Sequence, residues 1–557
     1  MNCFSIHQAH DAGIAWHVGD KHYAIQTEKI TGKRYGDMTR TPKPVVDEIC
    51  DLVLATTGGE KFDKFIQPMS AEHWFGKWGP GVFQVINRFK LNLLKSHQEG
   101  GRTVVSCLHH HSHASVSFYG SPYQEALVIT TDGGGDGEWF TLSHASRKTG
   151  IRQLESIRIN LGGMYLVAGR LIGEISSTTR NENAVAGKAM GIVAGGKVND
   201  KVKKAFKALW KNHVVERSST LQHLKKQKAA WHQYGKNKMW GSEFKQILFP
   251  YGIDIDNVSE SWAEGQNSRD LMASCQAAFE EIIWESIENY INKYPDLPIC
   301  MSGGCALNVL NNQKLLERLH PRGVFVPPCP ADEGLAMGYV LDHTRPSKQV
   351  RLHDICPPLR DLDKLKSYKE QYKTINATPK RICQMLEEGQ IIGYVQGPSE
   401  FGPRALGFRS ILCDPAKPYM KDKINARIKH REWFRPFAPI CREEVAHKYF
   451  DSPDFSTMQF MSFAPKVLPK ARDLIPAVTH VDYTSRLQTV TSDSNKKMNS
   501  LLLSWNKHTG KDVLLNTSFN INGKPILNTI EEALYVLDNT ELDAVVVEDT
   551  IFLHRKQ

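Results

Sequence analysis

Within residues 108–139 the chain places two histidines four apart, a short β-rich apolar run and an Asp-Gly-rich segment in direct succession. No other stretch restricts so strongly what can be built around it. On a helix, His109 and His113 stack on one face with Cβ atoms roughly 5–6 Å apart, close enough to share one metal ion. His110 and His111 point elsewhere on such a helix, and His111 is assigned a structural role. Residues 126–130, Ala-Leu-Val-Ile-Thr, form a short apolar run that predicts a buried strand. At its end Asp132 opens Asp-Gly-Gly-Gly-Asp-Gly. Gly133, Gly134 and Gly135 let backbone N–H groups approach phosphate oxygens, while the carboxylate can hold a divalent cation. A histidine pair alone, or a glycine loop alone, is an ordinary surface feature. In this order each supplies what the next needs, and the stretch predicts a metal-assisted nucleotide site.

A chain of 557 residues predicts two to four domains. With 41% hydrophobic and 23% charged residues it reads as a soluble globular protein, and no apolar run approaches a membrane span. The first residues lack the basic start and apolar core of a signal peptide. The eleven cysteines form no CxxC pair, which argues against a disulfide framework and a zinc ribbon and predicts a reducing cytoplasm. The net charge of +10 is local: residues 197–245 hold thirteen Lys/Arg against three Asp/Glu, and the remainder balances. Helical periodicity mixed with Trp and Tyr predicts a helical insertion there, either solvated or facing an anionic acceptor.

The chain opens with three strand candidates, at 3–6, 13–17 and 22–26, and His10 and Asp11 sit in the first turn. This start suits the actin, Hsp70 and sugar-kinase architecture, in which two hairpin loops grip phosphates. Asn160-Leu-Gly-Gly-Met-Tyr165 and the segment around Lys188, Ala-Gly-Lys-Ala-Met-Gly, read as loops facing a ligand. A long amphipathic helix at 268–294 leads to a strand and then to Ser-Gly303-Gly304-Cys-Ala-Leu-Asn308, a glycine turn and helix start able to hold adenosine or its phosphates. A strand at 324–327 delivers Asp332 to a helix start as a third or fourth metal ligand. The proline-bearing stretch after 341 reads as a linker, and a helix at 378–389 and a strand at 391–396 begin a new domain. Residues 421–439 concentrate Lys421, Lys423, Arg427, Lys429, Arg431 and Arg435. With Arg404 and Arg409 they predict a second anion site of guanidinium forks, and Trp433, Phe434 and Phe437 suit a pocket wall. Strands ending in polar clusters follow, one around His480, Asp482 and Arg486, the other around Asn516, Ser518 and Asn520.

Taken together, ten ordered motifs resemble the NodU/CmcH-type O-carbamoyltransferase family over nearly the whole chain. They are HDA at His10, HHHSHA at His109, DGGGDG at Asp132, GKAMG at Gly187, SGGCALN at Ser302, PADEGLAMG at Pro330, FGPRALGFRS at Phe401, NARIKHREWFRPFAP at Asn425, VTHVDYTSRLQTV at Val478 and LNTSFN at Leu515. The resemblance implies α/β and α+β modules. An actin-like domain, similar to the tRNA threonylcarbamoyl transferase, would occupy 1–345 with the basic insertion at 197–245. A linker would span 346–364, and a YrdC-like domain 365–557. It implies that carbamoyl phosphate and ATP give carbamoyl-adenylate in the second module, and that the first transfers the carbamoyl group to a hydroxyl of a small natural product or sugar.

By the same resemblance, His109, His113, Asp132 and Asp332 look like ligands of Fe2+ or another divalent metal. Arg404 and Arg431, with Arg435, look like the carbamoyl phosphate clamp, and His10 like the base that deprotonates the acceptor. Asp11, Gly133, Gly134, Gly135, Lys188, Gly303, Gly304, Asn308, Arg486, Asn516, Ser518 and Asn520 are assigned to nucleotide and substrate binding, with Mg2+ accompanying ATP. A homodimer is allowed, and neither a membrane nor a nucleic acid is the expected partner. Ala186, Lys29 and Lys524 depart from the family pattern, Lys29 standing where the family has Arg. The rival reading is a tRNA threonylcarbamoyladenosine-type modification enzyme. The FGPRALG and REWFRPFAP segments argue for the small-alcohol branch instead.

Overall fold

The computed structural model describes residues 2–8, 10–34, 38, 41–58, 60–68, 84–85, 88–89, 106–173, 175, 179, 184–212 and 265–555. By Cα proximity the chain forms two compact units, one of Met1–Ile129, Ser143–Arg152 and Leu297–Gln557, the other of Thr130–Leu142 and Gln153–Asp296. The division runs through strands and not through the 346–364 stretch, which is pinned inside the first unit. There the Arg360 N–H donates to Asn528 O at 3.2 Å and its Nη1 to Ile30 O at 3.1 Å. Asp361 accepts the N–H groups of Ile530 and Glu531 at 2.6 and 3.1 Å and so caps the helix that begins there.

In the first unit β1 (Cys3–His7), β2 (Gly13–Val18), β3 (Lys21–Gln26), β4 (Lys64–Pro68) and β5 (Ser106–Cys107) form a sheet in the order β3-β2-β1-β4-β5. All five β1 residues are buried, as expected of a central strand covered on both faces. The pairing His7↔Gly13 leaves residues 8–12 as the turn that carries His10 and Asp11, and Asp11 takes a left-handed φ of 58°. The short helix α1 (Glu28–Thr31) follows β3. Helix α2 (Lys43–Thr57), started by Pro42 and Pro44 and stopped at Gly58 with φ 61°, leads to β4, which pairs parallel with β1.

A second sheet runs β10-β9-β6-β7-β8, with β6 (Glu125–Gly135), β7 (Glu138–Ser146), β8 (Gly150–Ile157), β9 (Ile299–Ser302) and β10 (Val324–Phe325). Strand β6 runs five residues beyond the expected Thr130, so Asp132 to Gly135 are strand and not loop. The turn is Asp136-Gly137, both with positive φ, 54° and 80°. That is the type I′ pattern of a two-residue hairpin, and the Asp-Gly pair is its sequence signature.

Helix α3 (His109–Gly120) buries eleven of its twelve residues, so its histidines are not a solvated surface pair. In the second unit, α4 (Leu161–Arg170), α5 (Val185–Val193), α6 (Asp200–Asn212) and α7 (Gln266–Lys293) pack around Tyr165, Phe206, Trp210 and Phe279. Part of the basic segment therefore is helix. Its Lys203 and Lys207 pair with Glu281 at 2.7 and 2.8 Å, and Lys211 with Glu285 at 2.8 Å. These partly exposed pairs give each cation a carboxylate on α7, each worth about 0.2–1 kcal/mol. Lys225, Lys226 and Lys228 lie outside the described residues.

Helix α8 (Val309–Leu319) connects β9 to β10, and α9 (Leu335–Thr344) packs on α3. The C-terminal part holds α10 (Pro379–Glu387), α11 (Lys496–Thr509) and α12 (Ile530–Asn539) beside an eight-stranded sheet. Its strands are β11 (Tyr372–Asn376), β12 (Ile392–Val395), β13 (Arg409–Cys413), β14 (Ala438–Arg442), β17 (Gln488–Val490), β18 (Val513–Ser518), β19 (Ala544–Val547) and β20 (Thr550–Arg555). Their order is β11-β20-β19-β12-β13-β18-β14-β17, mostly antiparallel, while β15 (Phe450–Asp451) and β16 (Lys466–Val467) form a separate ribbon. The architecture is thus mixed α/β. Among the described residues no helix is long and apolar enough to cross a membrane, and the ten cysteines whose side chains are described are buried and unpaired.

Helices α3 and α9 approach each other at backbone distance. Ser112 Oγ donates to Leu335 O at 2.8 Å, and a Cβ on Gly338 would collide with Ser112 Oγ and its carbonyl. Gly338→Ala is expected to destabilise the fold by about 1–3 kcal/mol, because backbone cannot yield as a flexible side chain does. A lowered denaturant midpoint checks this.

Candidate active site

Two groups of side chains stand out chemically. The first gathers where α3 starts, where the 8–12 turn crosses, and where Asp332 precedes α9. His109 Nε2 and His113 Nε2 lie 3.1 Å apart, and Asp332 Oδ1 is 3.6 and 3.4 Å from them. All three side chains are nearly fully buried. Strand β6 starts in the same unit and carries Asp132 at its far end, and ligand atoms of His109, His113, Asp132 and Asp332 all lie within 4.8 Å of one another. Two imidazole nitrogens and two carboxylates converging on one point are a donor set that suits iron(II), zinc or manganese, so the residues fit a divalent metal.

Around this cluster stand His10 and Asp11, which the sequence marked, and two residues that it did not, His7 and Glu333. His10, more than half exposed, places Nε2 3.4 Å from Asp332 Oδ2 and Nδ1 3.1 Å from Asp11 Oδ2. Burial lowers the His7 pKa to about 4, which keeps its ring neutral. Burial, reinforced by the Asp11 charge, raises the Glu333 pKa to about 8, so this carboxyl is protonated at neutral pH. Glu333 lies in the PADEGLAMG motif and His7 ends β1, but only tertiary burial separates them from neighbouring polar residues.

The nucleotide candidates are distributed over both units. In the second, Asn160 Nδ2 donates to Gly133 O at 3.1 Å, and a Cβ on Gly162 would sit 3.0 Å from Gly133 N. The start of α4, capped by Asn160, thus lies against the backbone at Gly133, which Gly134 and Gly135 follow in β6, so Leu161–Tyr165 is helix and not the expected loop. Lys188 is buried in α5, so the GKAMG segment is helix and not loop. In the first unit Gly303 has φ 90° and its N–H already donates to Pro330 O at 2.7 Å, leaving Gly304 as the next amide of that turn. Asn308 caps α8 by accepting the Asn311 N–H at 3.1 Å.

The second group lies on the C-terminal sheet. Residues Ile424–Lys429 form a π-helical turn, and His430 leaves it with φ 48°, which re-aims the chain toward Arg431. Arg431 stacks on Phe437 at 4.6 Å and donates to Asn425 Oδ1 at 2.7 Å. Burial first, then the charge of Arg435, holds its pKa well below the usual value, and Arg34 and Arg404 push the same way while Glu432 opposes. Arg486 is lowered by burial and by Arg404, Arg435 and Arg431, and its buried Nε has no hydrogen-bond partner. Arg404, Arg431, Arg435 and Arg486 therefore share one desolvated cationic locus. Holding such charges together is costly unless an anion joins them, which marks the locus as a functional-site candidate.

Four residues expected near this site act differently. Arg409 is fully buried and its two Nη atoms are taken up by carbonyls, Nη1 donating to Gln396 O and Phe408 O at 3.0 Å each and Nη2 to Gly397 O at 2.8 Å, while its Nε has no hydrogen-bond partner. It ties β13 to β12 and cannot also clamp a ligand. Ser518 and Asn520 are spent on Lys429, whose Nζ reaches Ser518 O at 2.6 Å, Asn520 O at 2.9 Å and Asn520 Oδ1. Burial, then the charges of Arg431, Arg435 and Arg34, hold Lys429 well below its usual pKa. Asn516 is likewise structural in place, donating to Ala405 O at 3.1 Å and Gln488 Oε1 at 2.7 Å.

A folded-state pKa below the unfolded value means that the charge on Lys429 costs stability once pH falls below the unfolded pKa. A bound anion offsets that cost. Inorganic phosphate at 100 times its dissociation constant is expected to stabilise the protein by about 2.7 kcal/mol, and Arg431→Met to remove most of that shift while sulfate-free controls stay unchanged. Thermal unfolding across a phosphate titration reads it. Likewise, His113→Ala is expected to lower bound divalent metal in elemental analysis of the purified protein.

Comparison with known proteins bears on both groups. A family described as Carbamoyltransferase N-terminus matches residues 59–341, and one described as Carbamoyltransferase C-terminus matches residues 383–554. The chain is 32% identical to the nodulation protein NolO of Bradyrhizobium diazoefficiens, covering 81% of this chain and 79% of that protein. It is 30% identical to nodulation protein U of Rhizobium tropici, over 67% of this chain and 63% of that protein. Among solved structures, HypF of T. kodakarensis is similar at a TM-score of 0.33 and 12% identity, over 63% of this chain and 49% of that one, a likeness too slight to argue from.

Proposed function

The chain belongs to the carbamoyltransferase family and is a carbamoyltransferase, and from that premise we propose that it works in two half-reactions, through carbamoyl-adenylate. In the first, carbamoyl phosphate, ATP with Mg2+ and one water give carbamoyl-adenylate, phosphate and pyrophosphate. In the second, the hydroxyl of a small natural product or sugar takes the carbamoyl group and AMP leaves. On this reading the first two sheets and their helices, within 1–345, form the actin-like part, and the eight-stranded sheet the YrdC-like part. The observation that carries the proposal is the locus of Arg404, Arg431, Arg435 and Arg486, in which the lowered pKa values of Arg431 and Arg486 have the other arginines among their causes.

Planar guanidinium forks match the oxygens of a phosphate, and desolvation strengthens every such contact. Arg431, held by Asn425 and Phe437, is preorganised and loses little freedom on binding. In the second half-reaction His10 takes the proton of the acceptor hydroxyl. Asp11 accepts its Nδ1–H, which fixes Nε2 as the proton-accepting nitrogen and adds general-base catalysis of about 10²–10⁴-fold. His109, His113, Asp132 and Asp332 would hold iron(II) or another divalent metal, which supplies Lewis-acid neutralisation of charge on the leaving adenylate phosphate.

Removing one fork from a desolvated anion site forfeits about 1.5–3 kcal/mol per charged hydrogen bond. Arg431→Ala and Arg404→Ala are each expected to cut carbamoyl-adenylate formation at least about 100-fold, the equivalent of two such bonds. Pyrophosphate release from ATP and carbamoyl phosphate measures this. His113→Ala is expected to retain that release and to lose carbamoyl transfer. A wild-type rate in either arginine variant refutes the clamp, and loss of both half-reactions in His113→Ala refutes separate sites.

A further inference from the structure

The segment that carries Arg404 is organised around a buried carboxylate. Glu400 is 0% exposed, and its Oε1 accepts the N–H groups of Leu406, Phe408 and Arg409 at 2.9, 3.1 and 2.8 Å. On the C-terminal side, Gln488 Nε2 holds Leu406 O at 3.0 Å and Asn516 holds Ala405 O. The opposite edge is gripped by residues from the start of the chain. Lys29, 4% exposed, donates from Nζ to Ser399 Oγ at 3.0 Å and to Glu400 O. Gln26 Oε1 accepts the Gly402 N–H at 3.0 Å. Gly402 itself has φ 127°, and a Cβ there would collide with Pro328 O, so neither the backbone conformation nor the space tolerates another residue.

Lys29 is thus a buried ammonium whose hydrogen bonds go to neutral oxygens of one loop. Burying a charge for neutral partners is expensive, and an apolar side chain would fill the same space at less cost. What the ammonium adds is direction: it fixes Ser399 and Glu400, two neighbouring loop oxygens, four residues before Arg404. The same helix turn is tied to the His10–Asp11 turn, because Thr27 N–H donates to Ala12 O at 2.9 Å. We infer that Lys29 is a positioning residue for Arg404, so that affinity for carbamoyl phosphate is set partly by the N-terminal hairpin, outside the 365–557 segment that carries the arginines. The inference rests on the reading of Arg404 as part of the clamp.

The test uses the full chain and measures pyrophosphate release against both substrates. Lys29→Met is expected to raise the KM for carbamoyl phosphate tenfold or more and to leave the KM for ATP within twofold. Lys29→Arg is expected to recover to within threefold, since a guanidinium also donates to both oxygens. Combined with Arg404→Ala, Lys29→Met should add little to the single arginine variant, as expected for residues acting as one unit. Gln26→Ala removes the neighbouring grip on Gly402 and should show the same split in milder form, which keeps the test open if Lys29→Met does not fold. An unchanged KM for carbamoyl phosphate in Lys29→Met and Gln26→Ala overturns the inference while Arg404→Ala, if impaired, leaves the clamp standing. Equal effects on both KM values, or full additivity with Arg404→Ala, overturn it too. If Arg404→Ala itself binds carbamoyl phosphate normally, the clamp and the inference fall together.

Discussion

The meeting of α3 with α9 is the contact on which the metal-fitting cluster depends. His109 and His113 sit on α3 and Asp332 stands just before α9, so their convergence within 3.4–3.6 Å requires the two helices to approach at backbone distance. Gly338 permits that approach, and Ser112 marks its point of contact by donating to Leu335 O. An alanine-sized side chain there would separate the helices by about the margin that separates a ligand from a bystander. Close packing makes such interfaces stiff, since core atoms have no slack to absorb an extra methyl.

Buried charge in this protein is of two kinds, distinguished by partners and not by depth. Arg409 and Glu400 are as buried as any residue in the chain, yet each is met by several backbone groups, and both serve the shape of the loop between them. Arg431 and Arg486 instead have other cations among the causes of their lowered pKa. Carbonyls can satisfy a guanidinium indefinitely, whereas clustered cations are relieved only by an anion. Lys429 belongs to both kinds: its hydrogen bonds are complete, but its field adds to the arginine locus.

Several local features were readable without coordinates. The i,i+4 histidines did form one helix face, the long amphipathic helix appeared at Gln266–Lys293 against an expected 268–294, and Thr378 capped α10 where the helix was expected to begin. The Asp136-Gly137 hairpin carried its signature openly, but the three preceding glycines drew the reading toward a phosphate loop, although the strand continued through them. Arg404 and Arg409, five residues apart in one motif, could not be separated by sequence. Which of them faces a ligand depends on the carbonyls of Gln396 and Gly397, and those are placed by the pairing of β12 with β13.

The sequence by itself determined the reaction family and the chemical character of each site, because residue type and short-range spacing decide which ligands and charges a turn of helix or a loop can present. Tertiary structure alone decided which of those residues are spent on the fold. Lys29, Arg409, Ser518 and Asn520 are polar in any reading, but hydrogen bonds to residues far away in the chain assign Lys29 to the Arg404 loop and Ser518 to Lys429. Such pairings span 89 to 370 positions. No local pattern encodes them, since they exist only once the strands and helices between have packed.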